Sequence, residues 1–388
     1  MVSLPQAPSP ESFTSRLRSP AVAARIGLWL GISFAVCFLT GLLSHYAQAQ
    51  NQPIPFPASP SWGYRVTQGL HVVSGTAAIP LLLVKLWTVY PALFDRPPLR
   101  HPGRLVLNLL ERVSIAVLVA AAVFQVVVGL MNSTQWYPWA FSFRSAHYAG
   151  AWIAIGALVV HIAVKLPIIR DALTSDVDDD THDRATATVD GPVSRRGLLR
   201  STWLATGVVV LATAGATVPL LRKVSVLGVR DGDGPQGLPV NRTPAAAGID
   251  PDATGDSWVL EVARGDRTMS LSRADLEQMD QHTETLPIAC VEGWSVNAEW
   301  TGVRMRDLLD LVEAPEDSDV GLISLQTRRA FGRTLMQANF ARDERTLVAL
   351  KVNGEDLDLD HGYPARAIAP NRPGVLQTKW LTRLEVLA

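Results

Sequence analysis

Along the first 221 residues the apolar positions form long unbroken runs, at about 22–43, 67–89, 106–130, 146–168 and 202–221. A hydrocarbon core roughly 30 Å thick needs about 20 apolar residues in a helix, so each run predicts one membrane-spanning helix. The glycines and prolines inside them are tolerated in lipid, where neighbouring helices cover the freed backbone. Beyond residue 254 the pattern shortens. "SWVLEVARG" alternates as a strand does, and "LSRADLEQM" reads as a short helix with Ser272 as its cap and Asp275 in the acidic capping-box position. "RMRDLLDLV" predicts a second helix, and "VGLISLQT", "TLVALKVNG" and "LTRLEVLA" predict strands. This is a mixed α+β pattern, without the β-α spacing or the glycine-rich fingerprint of a dinucleotide fold. The expected fold is multi-domain, an all-α transmembrane helix bundle followed by an α+β domain.

Charge orients the bundle. Arg16, Arg18 and Arg25 precede the first run, Arg96, Arg100 and Arg104 lie between the second and third, Lys165 and Arg170 close the fourth, and Arg195, Arg196 and Arg200 open the fifth. The connections 45–64 and 131–145 are nearly free of Lys and Arg, which places the amino terminus in the cytoplasm and the carboxy-terminal domain outside. Arg222 and Lys223 run against that bias. The expected organisation is a cytoplasmic tail (1–21), a four-helix domain (22–170), an acidic cytoplasmic linker (171–201), a fifth helix (202–221), an extracytoplasmic linker rich in Gly, Pro and Asp (222–254) and the α+β domain (255–388). The linker runs into "SRRGLLRSTWL", which resembles a twin-arginine export signal with Leu198 where phenylalanine is usual; an ordinary positive-inside flank is the alternative. The expectation is thus a multi-pass protein of a bacterial cell membrane whose last domain is exported folded. A formal net charge of −1 gives no electrostatic reason to expect nucleic acid.

An imidazole in hydrocarbon is costly unless paired or ligated, so histidines in the runs are functional candidates. His147 and His161 lie fourteen residues apart, about 21 Å along one helix and on nearly the same face. His71, at the start of the second run, falls at the level of His147, and this pair is the expected ligand set of a haem b. The inner His161 needs a partner at its own depth, where the residue fourteen after His71 is Lys85, read as a snorkelling anchor. One haem is expected, and a second only if His161 finds a ligand. The bundle resembles b-type cytochrome and ferric-reductase-like membrane subunits, which implies a quinol, quinone or cytoplasmic reductase as electron partner.

Only two cysteines occur in 388 residues. Cys37 sits in the first apolar run and Cys290 far away in "LPIACVEGWSVNAEWTG", so each must be explained alone. "LPIACVEGWSVNAEWTGVRMRDLLDLV" followed by "TLVALKVNGEDLDLDHGYPARAIAPNRPGVLQTKWLTRLEVL" resembles the molybdopterin-binding domain of the sulfite oxidase superfamily over roughly 255–388. Within it the chain looks like the exported bacterial reductases of the methionine sulfoxide reductase P type, here fused to a haem-bearing membrane part. The resemblance implies a Mo-molybdopterin cofactor bound through the thiolate of Cys290, a soft ligand suited to a metal that changes oxidation state. It implies Arg366, Lys379 and the backbone around Gly374 on the phosphate side of the pterin, and His361 as a pterin contact. Asn297 is either a pterin contact or a turn residue.

For the substrate the family's tyrosine and arginines find only a partial counterpart in "QTRRAFGRTLMQANFARDE", with Arg328, Arg329 and Arg333 as candidate anion contacts and Phe331 near the place of the tyrosine. Without a hydroxyl Phe331 cannot donate a hydrogen bond, which argues against sulfite oxidation. The expected function is oxygen-atom transfer on a small extracytoplasmic substrate such as an S-oxide, with electrons carried through haem b. The alternatives are sulfite-type oxidation that feeds quinone and a cofactor-free, membrane-anchored binding module.

Overall fold

The computed structural model of the protein describes residues 9–228, 234–327 and 331–387, in two compact units. The first comprises Met1–Leu39 and Leu70–Ala214, the second Thr40–Gly69 and Gly215–Ala388. Five long helices dominate the amino-terminal part: α1 (Pro20–Ala47), α2 (Gly63–Val89), α3 (Pro102–Ser133), α4 (Phe143–Thr174) and α5 (Arg195–Thr213). Each is long and apolar enough to cross a membrane. In the first unit Val22, Ile26 and Leu30, one above another at i, i+4 and i+8, pack on Ala78, Leu81 and Leu82 of α2. Leu107, Val159 and Leu204 stay exposed, so these helices are apolar on outward faces as well as inward ones. The predicted fifth run, 202–221, begins late: Ser194 caps α5 by accepting from the Gly197 N–H at 3.0 Å, which starts the helix at the arginine pair.

The acidic segment between α4 and α5 folds around those arginines. Arg195 is buried, with its guanidinium on Asp183 and on the carbonyls of Arg16, Val177 and Asp179. Arg196 remains exposed beside Asp176 and Asp178. The acidic linker thus folds locally because a buried guanidinium needs several acceptors at once.

The second unit is α+β. After α6 (Pro244–Ala247), β1 (Val259–Arg264), β2 (Arg267–Ser272), β5 (Val320–Ser324), β6 (Arg333–Met336) and β10 (Leu381–Val386) form one sheet in the order β2-β1-β10-β5-β6, with only β1 and β10 parallel. The other sheet runs β3 (His282–Ala289), β4 (Ser295–Arg304), β7 (Leu347–Val352), β8 (Glu355–Asp356), with β9 (Arg366–Ile368) also on β7. One core draws on both sheets, with Leu260, Val262, Leu322, Leu381 and Leu384 from the first and Val303, Val348 and Leu350 from the second. The short helices α7 (Arg273–Gln278), α8 (Met305–Asp310) and α9 (Ala338–Ala341) add Leu276, Leu308, Leu309 and Phe340 to that core. The capping box at α7 forms as its sequence predicts, with Ser272 Oγ accepting from Asp275 N–H at 3.1 Å and the Asp275 carboxylate accepting from Ser272 N–H at 2.9 Å.

The connection between α1 and α2 belongs to this unit. Phe56 and Tyr64 lie in its core, Asn339 donates to Phe56 O at 2.8 Å, and Tyr64 N–H donates to Asn371 Oδ1 at 2.5 Å. The segment read as a tether is also built in: Ala247 and Ile249 pack on Trp380.

Candidate active site

The β3–β4 hairpin positions Cys290. Antiparallel register runs from His282 opposite Gly302 to Ala289 opposite Ser295, which leaves residues 290–294 as the turn. Cys290 N–H donates to Trp294 O at 2.9 Å and Gly293 N–H to Cys290 O at 3.1 Å. Gly293 takes φ +84°, a left-handed conformation in which a side chain is strained, so "CVEGW" closes tightly because of its glycine. Cys290 is buried and the N–H groups of Val291 and Glu292 face its sulfur. Burial first, then the Glu292 carboxylate, push the thiol well above its usual range, against those two amides. Such a thiol ionises only against a strong local positive charge, which a metal provides. Among the described residues no group of three or more His, Cys, Asp or Glu could hold a metal ion.

The loop from β9 to β10 closes on this turn. Gln377 pins it by accepting from Ala369 N–H at 2.9 Å and donating to Ala369 O and Arg372 O at 2.8 and 3.1 Å. Its Gly374 lies so close to the hairpin that an added Cβ would stand 2.8 Å from Ala289 O and 3.5 Å from Cys290 Cα. The neighbouring atom is rigid backbone, so Gly374→Ala is expected to lower stability by about 1–3 kcal/mol and to lower cofactor retention. A thermal melt and metal analysis of the variant check this, and an unchanged melt and metal content would contradict the close approach.

Three buried cations lie in the same part of the chain. Burial lowers the guanidinium groups of Arg366 and Arg372 to about 9 each, and burial followed by Arg366 lowers Lys379 to about 7. None has a carboxylate within ion-pairing distance among the described residues. Arg366 stacks over Trp300, 4.8 Å from the ring centroid, and donates to His361 O at 3.0 Å, yet its Nε is buried without a partner. Arg372 donates to Leu335 O at 2.5 Å while its Nη1 is likewise unpartnered. Buried donors left open beside uncompensated charge fit an anionic ligand, and the phosphate end of a pterin cofactor has that chemistry.

The other sequence candidates separate. Lys379 Nζ donates to Arg242 O at 2.6 Å and Asp360 O at 2.8 Å, and His361 Nε2 lies 2.7 Å from Pro235 O. A carbonyl only accepts, so His361 Nε2 carries the proton there. Both side chains are engaged with main chain and brace the site wall. Asn297 is exposed in mid-strand opposite Pro287 rather than in a turn. Arg333 is exposed and paired with Glu385 at 2.5 Å. Arg328 and Arg329 lie outside the described residues. Sequence reading passed over Arg372 and Asn371 although both stand in the quoted run "APNRPG". It also passed over Arg65 and Ser295, which only the fold brings together, with Arg65 Nε donating to Ser295 Oγ at 2.8 Å.

In the first unit His71 and His147 face each other with ring centroids 6.0 Å apart at 74°. His71 Nδ1 lies 2.9 Å from Cys37 O, which fixes its tautomer and leaves Nε2 as the basic nitrogen. His147 packs against Gly129, where an added Cβ would stand 3.6 Å from the ring, and its buried Nδ1 has no partner. Two facing imidazoles at this separation, one with a buried unpartnered nitrogen, fit a haem. Lys85, fourteen residues after His71, donates to Ala23 O at 2.8 Å.

Comparison with known proteins gives one consistent likeness. Residues 247–388 match the model of the oxidoreductase molybdopterin binding domain. The chain is 30% identical over 130 residues to the uncharacterized oxidoreductase YuiH of Bacillus subtilis, covering 33% of this chain and 64% of that protein. It is 29% identical over 157 residues to mitochondrial sulfite oxidase of Drosophila melanogaster and 30% identical over 165 residues to that of Rattus norvegicus. These matches cover 34% and 35% of this chain but only 27% and 30% of those two proteins. Among solved structures the sulfane dehydrogenase SoxCD from Paracoccus pantotrophus aligns with a TM-score of 0.31 and 22% identity, over 34% of this chain and 38% of that one.

Proposed function

We propose, from the premise that residues 247–388 are a molybdopterin-binding oxidoreductase domain of the sulfite oxidase type, that the protein is a membrane-anchored molybdenum oxidoreductase. It moves an oxygen atom between water and a small extracytoplasmic substrate. The observation that carries this reading is the buried Cys290 in a domain that also buries Arg366 and Arg372 with open donors and, among the described residues, no carboxylate paired with either. When bound, the molybdenum–pterin group supplies the oxygen-atom exchange and takes up or releases two electrons. Cys290 holds the metal, Arg366 and Arg372 neutralise the pterin's anionic end, and Gly374 lets the loop approach the ligand residue. His361 and Lys379 orient the wall through the carbonyls of Pro235, Arg242 and Asp360.

In this reading the five apolar helices cross a bacterial cell membrane with the amino terminus in the cytoplasm. His71 and His147 would hold a haem b, which would supply single-electron transfer. Quinol or a cytoplasmic reductase is the donor, and an S-oxide is reduced outside at the cost of two electrons and two protons, with water as the second product. Haem reoxidation by a panel of methionine sulfoxide, other S- and N-oxides and nitrate, beside haem reduction by sulfite, tests substrate and direction together. Reoxidation by an S-oxide is expected. Reduction by sulfite with no reoxidation by any oxide would reverse the direction of the proposal.

A further inference from the structure

Ser295 sits directly across the hairpin from Ala289, the residue before Cys290, and is fully buried. Two arginines from distant parts of the chain converge on it. Arg65, in the first turn of α2, donates from Nε to Ser295 Oγ at 2.8 Å, and Arg222 donates from Nη2 to Ser295 O at 3.0 Å. Neither has a carboxylate partner among the described residues, although their charges feel each other. Two like charges drawn to one neutral residue repel, and Arg222 is exposed to solvent. Each guanidinium spends a single N–H on Ser295 and keeps its remaining donors. Arg222 is also the residue that runs against the charge bias of the helix connections, so orientation gives no reason for its presence. Of the arginines first considered for an anion, Arg333 is paired with Glu385, and Arg328 and Arg329 lie outside the described residues.

We propose that Arg65 and Arg222 form an oxyanion subsite beside the Cys290 turn that holds the anionic group, a sulfur oxyanion or carboxylate, of the substrate. Neither residue lies within 247–388, so substrate selection is supplied by the first turn of α2 and the segment after α5. The identity of the anion as substrate rests on the reading of Cys290 as the metal ligand, whereas the presence of the subsite does not.

The test is titration of the full-length, detergent-solubilised protein with sulfate, against chloride at matched ionic strength, with calorimetric readout and with molybdenum and pterin content measured on each preparation. Wild type binds sulfate. Arg65→Gln and Arg222→Gln each bind it roughly ten- to a hundredfold more weakly, the effect of losing a charge-assisted contact, and Arg65→Lys recovers part of the loss. Cofactor content stays at the wild-type level throughout. Absence of sulfate binding by wild type, or equal binding by the variants, overturns the proposal. Loss of pterin together with sulfate binding also overturns it, by assigning the pair to the cofactor's phosphate. Wild-type protein that binds sulfate but carries no molybdenum defeats the reading of Cys290 and leaves the anion subsite standing.

Discussion

Cys290→Ser leaves a folded protein that has lost its molybdenum and its turnover. The turn that carries residue 290 is closed by main-chain hydrogen bonds, Cys290 N–H to Trp294 O and Gly293 N–H to Cys290 O, and the sulfur takes part in neither. A serine of similar size therefore keeps the turn, and unfolding is expected to shift by no more than about 1–2 kcal/mol. The metal responds differently, because a hydroxyl is a hard, weakly acidic donor where a soft thiolate is required. Turnover falls by at least roughly a thousandfold, about 4 kcal/mol of barrier. Metal analysis, a thermal melt and turnover on one preparation check this. A serine variant that keeps both molybdenum and activity would remove Cys290 from the chemistry.

The second large effect falls on the histidines. His71→Ala and His147→Ala each abolish the reduced-haem absorbance of the purified protein, while His161→Ala retains it. The two rings face each other at 6.0 Å between centroids, and His161 stands fourteen residues further along α4 from His147. The carbonyl of Cys37 holds one His71 nitrogen and so directs the other toward a metal. Haem absorbance that survives in both alanine variants, measured with dithionite as reductant, would reject this ligand pair.

Much of this was legible in the sequence, for identifiable reasons. Long apolar runs and local capping are short-range signals, so the five helices and the Ser272 cap could be read directly. The cysteine, His361, Arg366 and Gly374 stood inside a motif, and the pairing of His71 with His147 followed from depth along helices. The remainder depends on tertiary contact. Asn371 is a plain loop residue in the sequence, yet its carboxamide accepts from Tyr64 N–H and donates to Pro57 O, across more than 300 positions. The α1–α2 connection reads as a loop with few charges, and only packing shows that Phe56 and Tyr64 belong to the α+β core. Lys379 and His361 carry the residue types of cofactor contacts, but the carbonyls of Arg242 and Asp360 engage Lys379 Nζ and that of Pro235 engages His361 Nε2. Residue type can name a donor, while its partner is settled by the fold.

The central claim is that Cys290 and the buried arginines serve a molybdenum–pterin group. Its most direct test is the molybdenum-to-protein ratio of the full-length wild-type chain, purified from a host that makes the cofactor. The account predicts near-stoichiometric molybdenum with the pterin released in matching amount on denaturation. Wild-type protein that is folded but free of molybdenum and pterin would contradict it and favour a binding module.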